Sequence, residues 1–203
     1  FALRPGADVL ILEPGGGLAV LTALNAQPPP HSVTVVQSNH TVVEAMRDRL
    51  GEFNGHLYND PRVNVIIDEP RSFLRRTGQK FDLIILPLTD SFRPVTAGAY
   101  TLNEDYRYTV EALSDALAHL APDGLLLAER WLQLPPSESL RLWGAVVEAL
   151  RERMECAPEA CSEWVKVRLW AVRSLQTSLI GASPTPLSAP DLAKIRQFAQ
   201  TRR

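Results

Sequence analysis

Asp8-Val9-Leu10-Ile11-Leu12-Glu13-Pro14-Gly15-Gly16-Gly17 places a strand, an acid and a glycine loop in direct succession. Asp8 to Leu12 is an apolar run of the kind that forms a strand buried on both faces. Glu13 ends it, and a helical pattern follows from about Leu18 to Asn25. Glycines let the chain turn tightly and let a ligand approach the backbone N–H groups without a Cβ in the way. Strand, glycine loop and helix together make the opening unit of an α/β fold that binds ligands outside its strand ends.

The same alternation continues outward from this unit. Gln27-Pro28-Pro29-Pro30 stops the first helix, because proline lacks an N–H and restricts its predecessor. Strands are predicted at Val33–Val36, Val63–Ile67, Phe81–Leu86 and Leu125–Ala128, the last entered through a Pro122-Asp123-Gly124 turn. Helices are predicted at Val42–Leu50 with Asn39 or Thr41 as cap, around Phe73-Leu74, at Asn103–Leu120, and at Ser137–Arg153 with Ser137 as cap. Trp164–Val172 and Leu175–Ile180 read as two strands joined only by Arg173-Ser174, a link that suits a hairpin and not a parallel crossover. A terminal helix spans Ser188 to Gln200, with Pro190 in its first turn. These elements predict a Rossmann-like, doubly wound, mostly parallel sheet closed by a C-terminal antiparallel hairpin. No repeat or linker divides the chain, so one domain over residues 1–203 is expected.

Bulk properties narrow the function classes. The 203 residues carry 21 basic and 23 acidic side chains, a formal charge of −2 and no basic field for nucleic acid or an anionic membrane. No apolar stretch approaches the roughly 20 residues that span a bilayer. The chain starts without Met and runs straight into a strand, which leads us to expect a domain excised from a longer protein. Cys156 and Cys161 lack the tight spacing and the His partners of a metal site. Two ordinary thiols are expected, with a local disulfide as the alternative.

The strand ends hold the candidate chemistry. The acid-x-Gly-x-Gly spacing of Glu13, Gly15 and Gly17 differs from G-x-G-x-x-G and is the pattern of S-adenosylmethionine-type sites. A carboxylate at Glu13 suits a ligand ammonium and would repel a pyrophosphate; a plain tight turn is the other reading. Gln37, at the end of the second strand, takes the position that normally binds ribose hydroxyls, with an amide where a carboxylate would bind more strongly. Asp68 and Glu69, after the third strand, can accept from an adenine amino group or stabilise the N-terminus of the next helix. Asp90 follows the fourth strand, and Glu129 and His40 are further titratable groups near strand ends.

The motifs VLILEPGGG, VTVVQSN, DPRVNVIIDEPRSFL, FDLIILPLTD, YTLNEDYRYTVEAL and APDGLLLAERW, in that order, resemble the polyamine aminopropyltransferases, the spermidine synthase family, from about Asp8 to Trp131. The resemblance is strongest to divergent bacterial spermidine-synthase-like domains, often attached to membrane helices. It implies a methyltransferase-type fold that binds S-adenosylmethionine or its decarboxylated form, without a metal. It places Gly16 where the family has the Asp that holds the donor amine, and Gln37 where it has a ribose-binding Glu. Glu69, with Asp68 beside it, matches the acid near adenine. Pro87 stands where the family puts the Asp that deprotonates the attacking amine, and Asp90 matches that motif's second acid.

A positioned base contributes typically 10²–10⁴-fold to such a step, and Pro87 cannot supply one. Three readings follow: a spermidine-synthase-like transferase with altered acids, a noncatalytic nucleoside-binding or regulatory module, and a small-molecule methyltransferase, which needs little acid–base help. Asp90 is the catalytic candidate. Glu13, Gly15, Gly16, Gly17, Gln37, Asp68 and Glu69 are the binding candidates. The expected partner is a small-molecule amine acceptor, with a homodimer as an option and no nucleic acid. The expected location is the cytoplasm, either free or as the cytoplasmic domain of a membrane protein.

Overall fold

The computed structural model describes residues 1–90, 105–133, 136–153 and 158–201. Its strands are β1 (Asp8–Leu12), β2 (Ser32–Gln37), β3 (Val63–Ile67), β4 (Phe81–Leu86), β5 (Leu120–Trp131), β6 (Leu169–Arg173) and β7 (Thr177–Ala182). They form one seven-stranded sheet in the order β3-β2-β1-β4-β5-β7-β6. The first five strands pair in parallel, and β7 runs antiparallel to both β5 and β6. The chain is therefore a mixed α/β fold of the doubly wound, methyltransferase type. Its strand order reverses between β1 and β4, the crevice where such sheets take ligands.

The central strands are apolar throughout because both faces are covered. On one face Leu10, Ile84 and Leu126 pack with Phe73 and Leu74 of α4 (Pro70–Arg76), Leu113 and Leu117 of α5 (Val110–Ala118), and Val146 and Leu150 of α6 (Ser137–Glu152). On the other, Val9, Ile11, Val33 and Leu83 pack with Val20 and Ala23 of α1 (Leu18–Leu24) and with Met46, Leu57 and Tyr58. The two-residue alternation of a strand sends successive side chains to opposite faces. Truncating one of these fully buried leucines to alanine costs roughly 2–5 kcal/mol.

Several elements differ from the sequence expectation. Helix α2 (His40–Glu44) is capped by Asn39, whose Oδ1 accepts from Thr41 N at 3.0 Å, and then widens into a π-helical turn over Ala45–Arg49. The predicted helix from Asn103 starts only at Val110; Asp105 first closes a 3-10 turn over Tyr106–Tyr108, and the Thr109 hydroxyl then caps α5 through Ala112 N at 3.2 Å. Asn103 and Glu104 lie outside the described residues.

Further corrections fall in the second half of the chain. Pro122-Asp123-Gly124 does not separate a turn from a strand but sits inside the long β5, at a register shift opposite β4. A Cβ on Gly124 would lie 2.9 Å from the Phe81 carbonyl oxygen, so only glycine fits there. Ser137 does not cap α6: Pro136 holds that position, and Ser137 Oγ donates to Gln133 instead, at 3.2 Å.

Trp164 belongs to a helix, α7 (Pro158–Lys166), and the β6–β7 hairpin begins only at Leu169. Cys161 and Val165, four residues apart, are buried on the inner side of α7, and that burial outweighs the strand propensity of the Trp-Val-Lys-Val run. Cys161 is also disulfide-bonded, against the expectation of two free thiols; Cys156 lies outside the described residues. Helix α8 (Ala189–Thr201) ends the fold. Among the described residues no helix is long and apolar enough to cross a membrane.

Candidate functional site

The carboxyl ends of the parallel strands open into a cleft of about 540 Å³, within the usual range for a small-molecule site. Five carboxylates line it (Glu13, Glu69, Asp90, Asp105 and Glu138) against the guanidiniums of Arg107 and Arg130. The excess of negative charge suits a cationic ligand. Glu13, Gly15, Gln37, Glu69 and Asp90 thus come together at one opening, whereas Gly16, Gly17 and Asp68 do not line it.

One wall is the glycine loop. Glu13 has a φ of 55°, a left-handed conformation that costs a side-chain-bearing residue about 1–2 kcal/mol. Three contacts hold it there. Its N–H donates to the Val36 carbonyl at 2.8 Å, Oε1 accepts from Ser38 N at 2.8 Å, and Oε2 accepts from Gln37 Nε2. Gln37 is 4% exposed, and its Oε1 accepts from Gly15 N at 3.1 Å. One neutral amide thus ties the acid to the loop.

Gly15 and Gly17 have φ values of 54° and 80°, and a Cβ on Gly17 would press on Leu57 at 3.2 Å. Gly16 is exposed and has open space around it. Tyr58 is buried beneath the loop, and its hydroxyl donates to the Gly15 carbonyl at 3.1 Å. Burial, helped by the negative charge of Glu13, pushes that phenol up to about 12, so it stays a neutral donor.

Beside this wall, the Glu69 carboxylate caps α4, accepting from Arg71 N at 3.1 Å and Ser72 N at 2.7 Å. Asp68 turns away from the cleft to pair with Arg76. Glu69 therefore stabilises a helix N-terminus and also faces the cleft, while Asp68 serves the helix alone.

The opposite wall rises from β4 and β5. Pro87 is buried where β4 ends. Asp90 lies beyond it, with its carbonyl accepting from Trp131 Nε1 at 2.9 Å and its Oδ2 3.2 Å from Arg130 Nη1. Arg130 Nη2 donates to Glu138 Oε2 at 2.6 Å, and its Cζ stands 4.5 Å from the Tyr108 ring centroid, a cation–π distance. Burial works against the Arg130 charge, but Tyr108, Asp90 and Glu138 outweigh it and hold the guanidinium protonated. Burial pushes the Tyr108 phenol up.

Arg107 reaches across to Thr89 Oγ1 at 3.2 Å and grips Asp105 with a two-pronged bond, Nε to Oδ1 at 2.8 Å and Nη2 to Oδ2 at 2.6 Å. Burial pushes the Asp105 carboxyl up, but Arg107 outweighs it and holds the group below its ordinary value. Glu129 accepts from Leu88 N at 3.3 Å and so braces the turn after β4, and His40 is an exposed residue at the start of α2.

Sequence reasoning did not single out Arg107, Arg130, Tyr108, Glu138 or Tyr58. A signal existed for the first three: YRYT and ERW carry cations and aromatics at the ends of elements that converge on the cleft. Among the described residues no group of three or more His, Cys, Asp or Glu side chains is placed to hold a metal.

Comparison with known proteins places this architecture. The family model described as "Spermine/spermidine synthase domain" matches residues 2–165. A polyamine aminopropyltransferase of Escherichia fergusonii is 37% identical over 87 residues, 43% of this chain and 30% of that protein. One from Mycobacterium tuberculosis is 33% identical over 132 residues, 63% of this chain and 24% of that protein. The matched stretch is thus less than a third of either relative's length.

Among solved structures, spermidine synthase from Thermotoga maritima superposes with a TM-score of 0.62 at 21% identity, covering 97% of this chain and 61% of that one. A spermidine synthase in complex with the transition state analogue AdoDATO gives 0.60 at 20% identity, covering 97% and 60%. Human methyltransferase-like protein 13 in complex with SAH gives 0.60 at 15% identity, covering 99% and 84%. The structural likenesses establish the fold, and the family model, which spans most of the chain, establishes the lineage: this chain belongs to the spermine/spermidine synthase domain family.

Proposed function

We propose that this domain is a spermidine-synthase-like transferase that binds S-adenosylmethionine or its decarboxylated form in the cleft and serves a small-molecule amine acceptor. The observation that carries this reading is the excess of carboxylates around a cleft at the β1/β4 reversal. A sulfonium nucleoside is cationic, and two proteins of the same fold, a spermidine synthase and human methyltransferase-like protein 13, are solved in complex with AdoDATO and SAH respectively. When bound, the nucleoside would supply an electrophilic carbon beside its sulfonium.

The chain's own residues divide the remaining work. Glu13 and the Gly15 loop form the wall facing the donor. Gln37 stands at the ribose position with its amide already engaged. Glu69 and Pro70 border the base side, and Asp90 faces the acceptor side. Gly16 and Pro87 stand where the family resemblance places two acids, so an acceptor proton has Asp90 as its nearest acid in place of a residue on β4. Gly16→Asp is sterically free, because a Cβ there meets no atom within 4 Å.

Calorimetric titration with S-adenosylmethionine, its decarboxylated form and methylthioadenosine tests the donor site. Heat and a thermal shift at millimolar ligand are expected, and their absence with all three overturns the reading. Turnover is read by acceptor mass, with about 57 Da gained for aminopropyl transfer and about 14 Da for methyl transfer to an oriented acceptor. Binding without turnover for any amine makes the domain a noncatalytic binding module.

We also place the domain in the cytoplasm. Disulfides persist mainly in oxidising compartments, so the disulfide at Cys161 argues against that placement, and its state in cells tests it. Alkylation of a free thiol supports it, and a persistent disulfide opposes it.

A further inference from the structure

A second cavity, of about 510 Å³, lies on the α1 face of the sheet and shares no lining residue with the cleft. Its floor is the β5-β7-β6 end of the sheet, and α8 forms a wall. One row across that floor pairs Leu127 with Gly181, and Gly181 with Trp170. A Cβ on Gly181 would stand 2.2 Å from the Trp170 ring, so only a glycine lets the indole lie against β7. Leu125 and Leu179 extend the apolar floor, and Ile195 and Phe198 line the cavity from α8. Phe198 is 49% exposed, so the mouth opens to solvent.

Charge enters this cavity with one sign. Among the described residues that line it, Lys194 has the one ionic side chain, and no carboxylate is present. Lys194 Nζ donates to the Ala2 carbonyl at 3.4 Å, a long bond that leaves two of its three protons for a ligand. The one acid of α8, Asp191, is taken up by Arg4 at 3.1 Å and does not neutralise Lys194. We propose that this cavity is a second ligand site, separate from the transferase cleft, and that it takes a free acyl carboxylate. The chain lies along Trp170 and the leucines, where its burial from water drives binding, and the carboxylate pairs with Lys194. The cleft, rich in acids, suits a cation; this cavity, with a lone ammonium among apolar walls, suits an apolar anion.

The test compares decanoate, decanol and decylamine, which share a chain and differ in the head group. Decanoate has roughly a dozen heavy atoms, a size suited to a cavity of this volume. Each is titrated against bound anilinonaphthalene sulfonate, an apolar anion whose fluorescence reports its displacement, with a thermal shift as second readout. Decanoate is expected to bind about threefold more tightly than decanol, the scale of one exposed ion pair, and decylamine to bind weakest. Lys194→Gln removes the head-group preference and keeps the chain binding. Lys194→Glu, at an exposed position, reverses the order of decanoate and decylamine. Val172→Trp, which fills part of the floor, weakens all three.

Equal binding of the three head groups by the wild type, or no binding of any, overturns the inference. Displacement of decanoate by methylthioadenosine puts the ligand in the cleft and overturns it as well. So does self-association that decanoate does not disperse, read by sedimentation, because it gives this face to a second copy of the chain.

Discussion

The two walls of the cleft are built to opposite standards. On the glycine-loop wall, Glu13, Gly15, Gln37, Ser38 and Tyr58 satisfy one another through a closed set of hydrogen bonds. On the Arg130 wall, Asp90, Arg130 and Tyr108 each keep a buried polar atom without a partner. A closed network holds its shape without a ligand, whereas an open one stores an unmet demand that a ligand can meet.

Four substitutions break or sharpen this contrast, in descending order of expected effect. Gln37→Glu restores the acid that the family resemblance puts at this position, yet it sets a second carboxylate against Glu13 at a site 4% exposed. Two like charges about 4 Å apart at an effective dielectric near 20 repel by roughly 4 kcal/mol. Chemical denaturation at neutral pH is expected to show a loss of about 3 kcal/mol that shrinks as the buffer approaches pH 4, where a shared proton removes the repulsion. A stability unchanged at pH 7 means the wall is not closed in the way described.

Arg130→Ala leaves Asp90 and Glu138 without their shared cation. A fully buried pair would cost about 3–5 kcal/mol to break, but both acids have side chains 33% exposed, so water offsets part of it. The expected loss is about 2 kcal/mol, with a smaller loss for Arg130→Lys in the same melts.

Tyr58→Phe deletes the bond to the Gly15 carbonyl and should cost about 1 kcal/mol at pH 7. Its pH dependence is the sharper readout. The folded phenol ionises near 12, and an unfolded one near 10. The wild type therefore loses stability as pH rises from about 10 towards 12, where the unfolded chain has given up a proton the folded one keeps. The variant lacks this slope, so the two stability curves approach each other above about pH 10 and cross before pH 12.

Asp105→Asn has the smallest effect, under about 1 kcal/mol for a partly exposed ion pair. The folded carboxyl titrates below its unfolded value of about 3.9. The contribution of the pair is therefore complete above pH 4 and disappears only as pH falls further. Wild type and variant should differ in acid titrations at pH 6 and draw together as the pH falls below about 4.

Much of the sheet was legible in advance because burial on both faces leaves a plain mark. β1 and β3 match their predicted limits residue for residue, and β4 runs as expected to Leu86. The errors fall where local pattern and tertiary demand disagree. WVKVRLW is rich in strand-forming Trp and Val, but its first part was claimed by a helix that buries Cys161 and Val165. The Pro122-Asp123-Gly124 turn signal was absorbed into β5 because Gly124 lets the chain pass close to Phe81. The start of α5 moved seven residues, from Asn103 to Val110, because the Thr109 hydroxyl caps it.

The site divides along the same line. Sequence alone determined the fold class and the lineage, and it pointed to Glu13, Gly15 and Gln37, which line the cleft at the ends of strands whose apolar runs are unmistakable, along with Gly16 and Gly17, which do not line it. It also located Asp90, one residue past a loop that could be aligned by motif. Tertiary structure alone decided what Asp90 faces. Arg130 lies 40 positions further on, Tyr108 sits on a turn between them and Glu138 opens another helix, and no spacing in a one-dimensional string relates such residues. Only the parallel pairing of β4 with β5 brings them within bonding distance. A charge is read from the sequence, but whether it is free or neutralised depends on the neighbours that packing supplies.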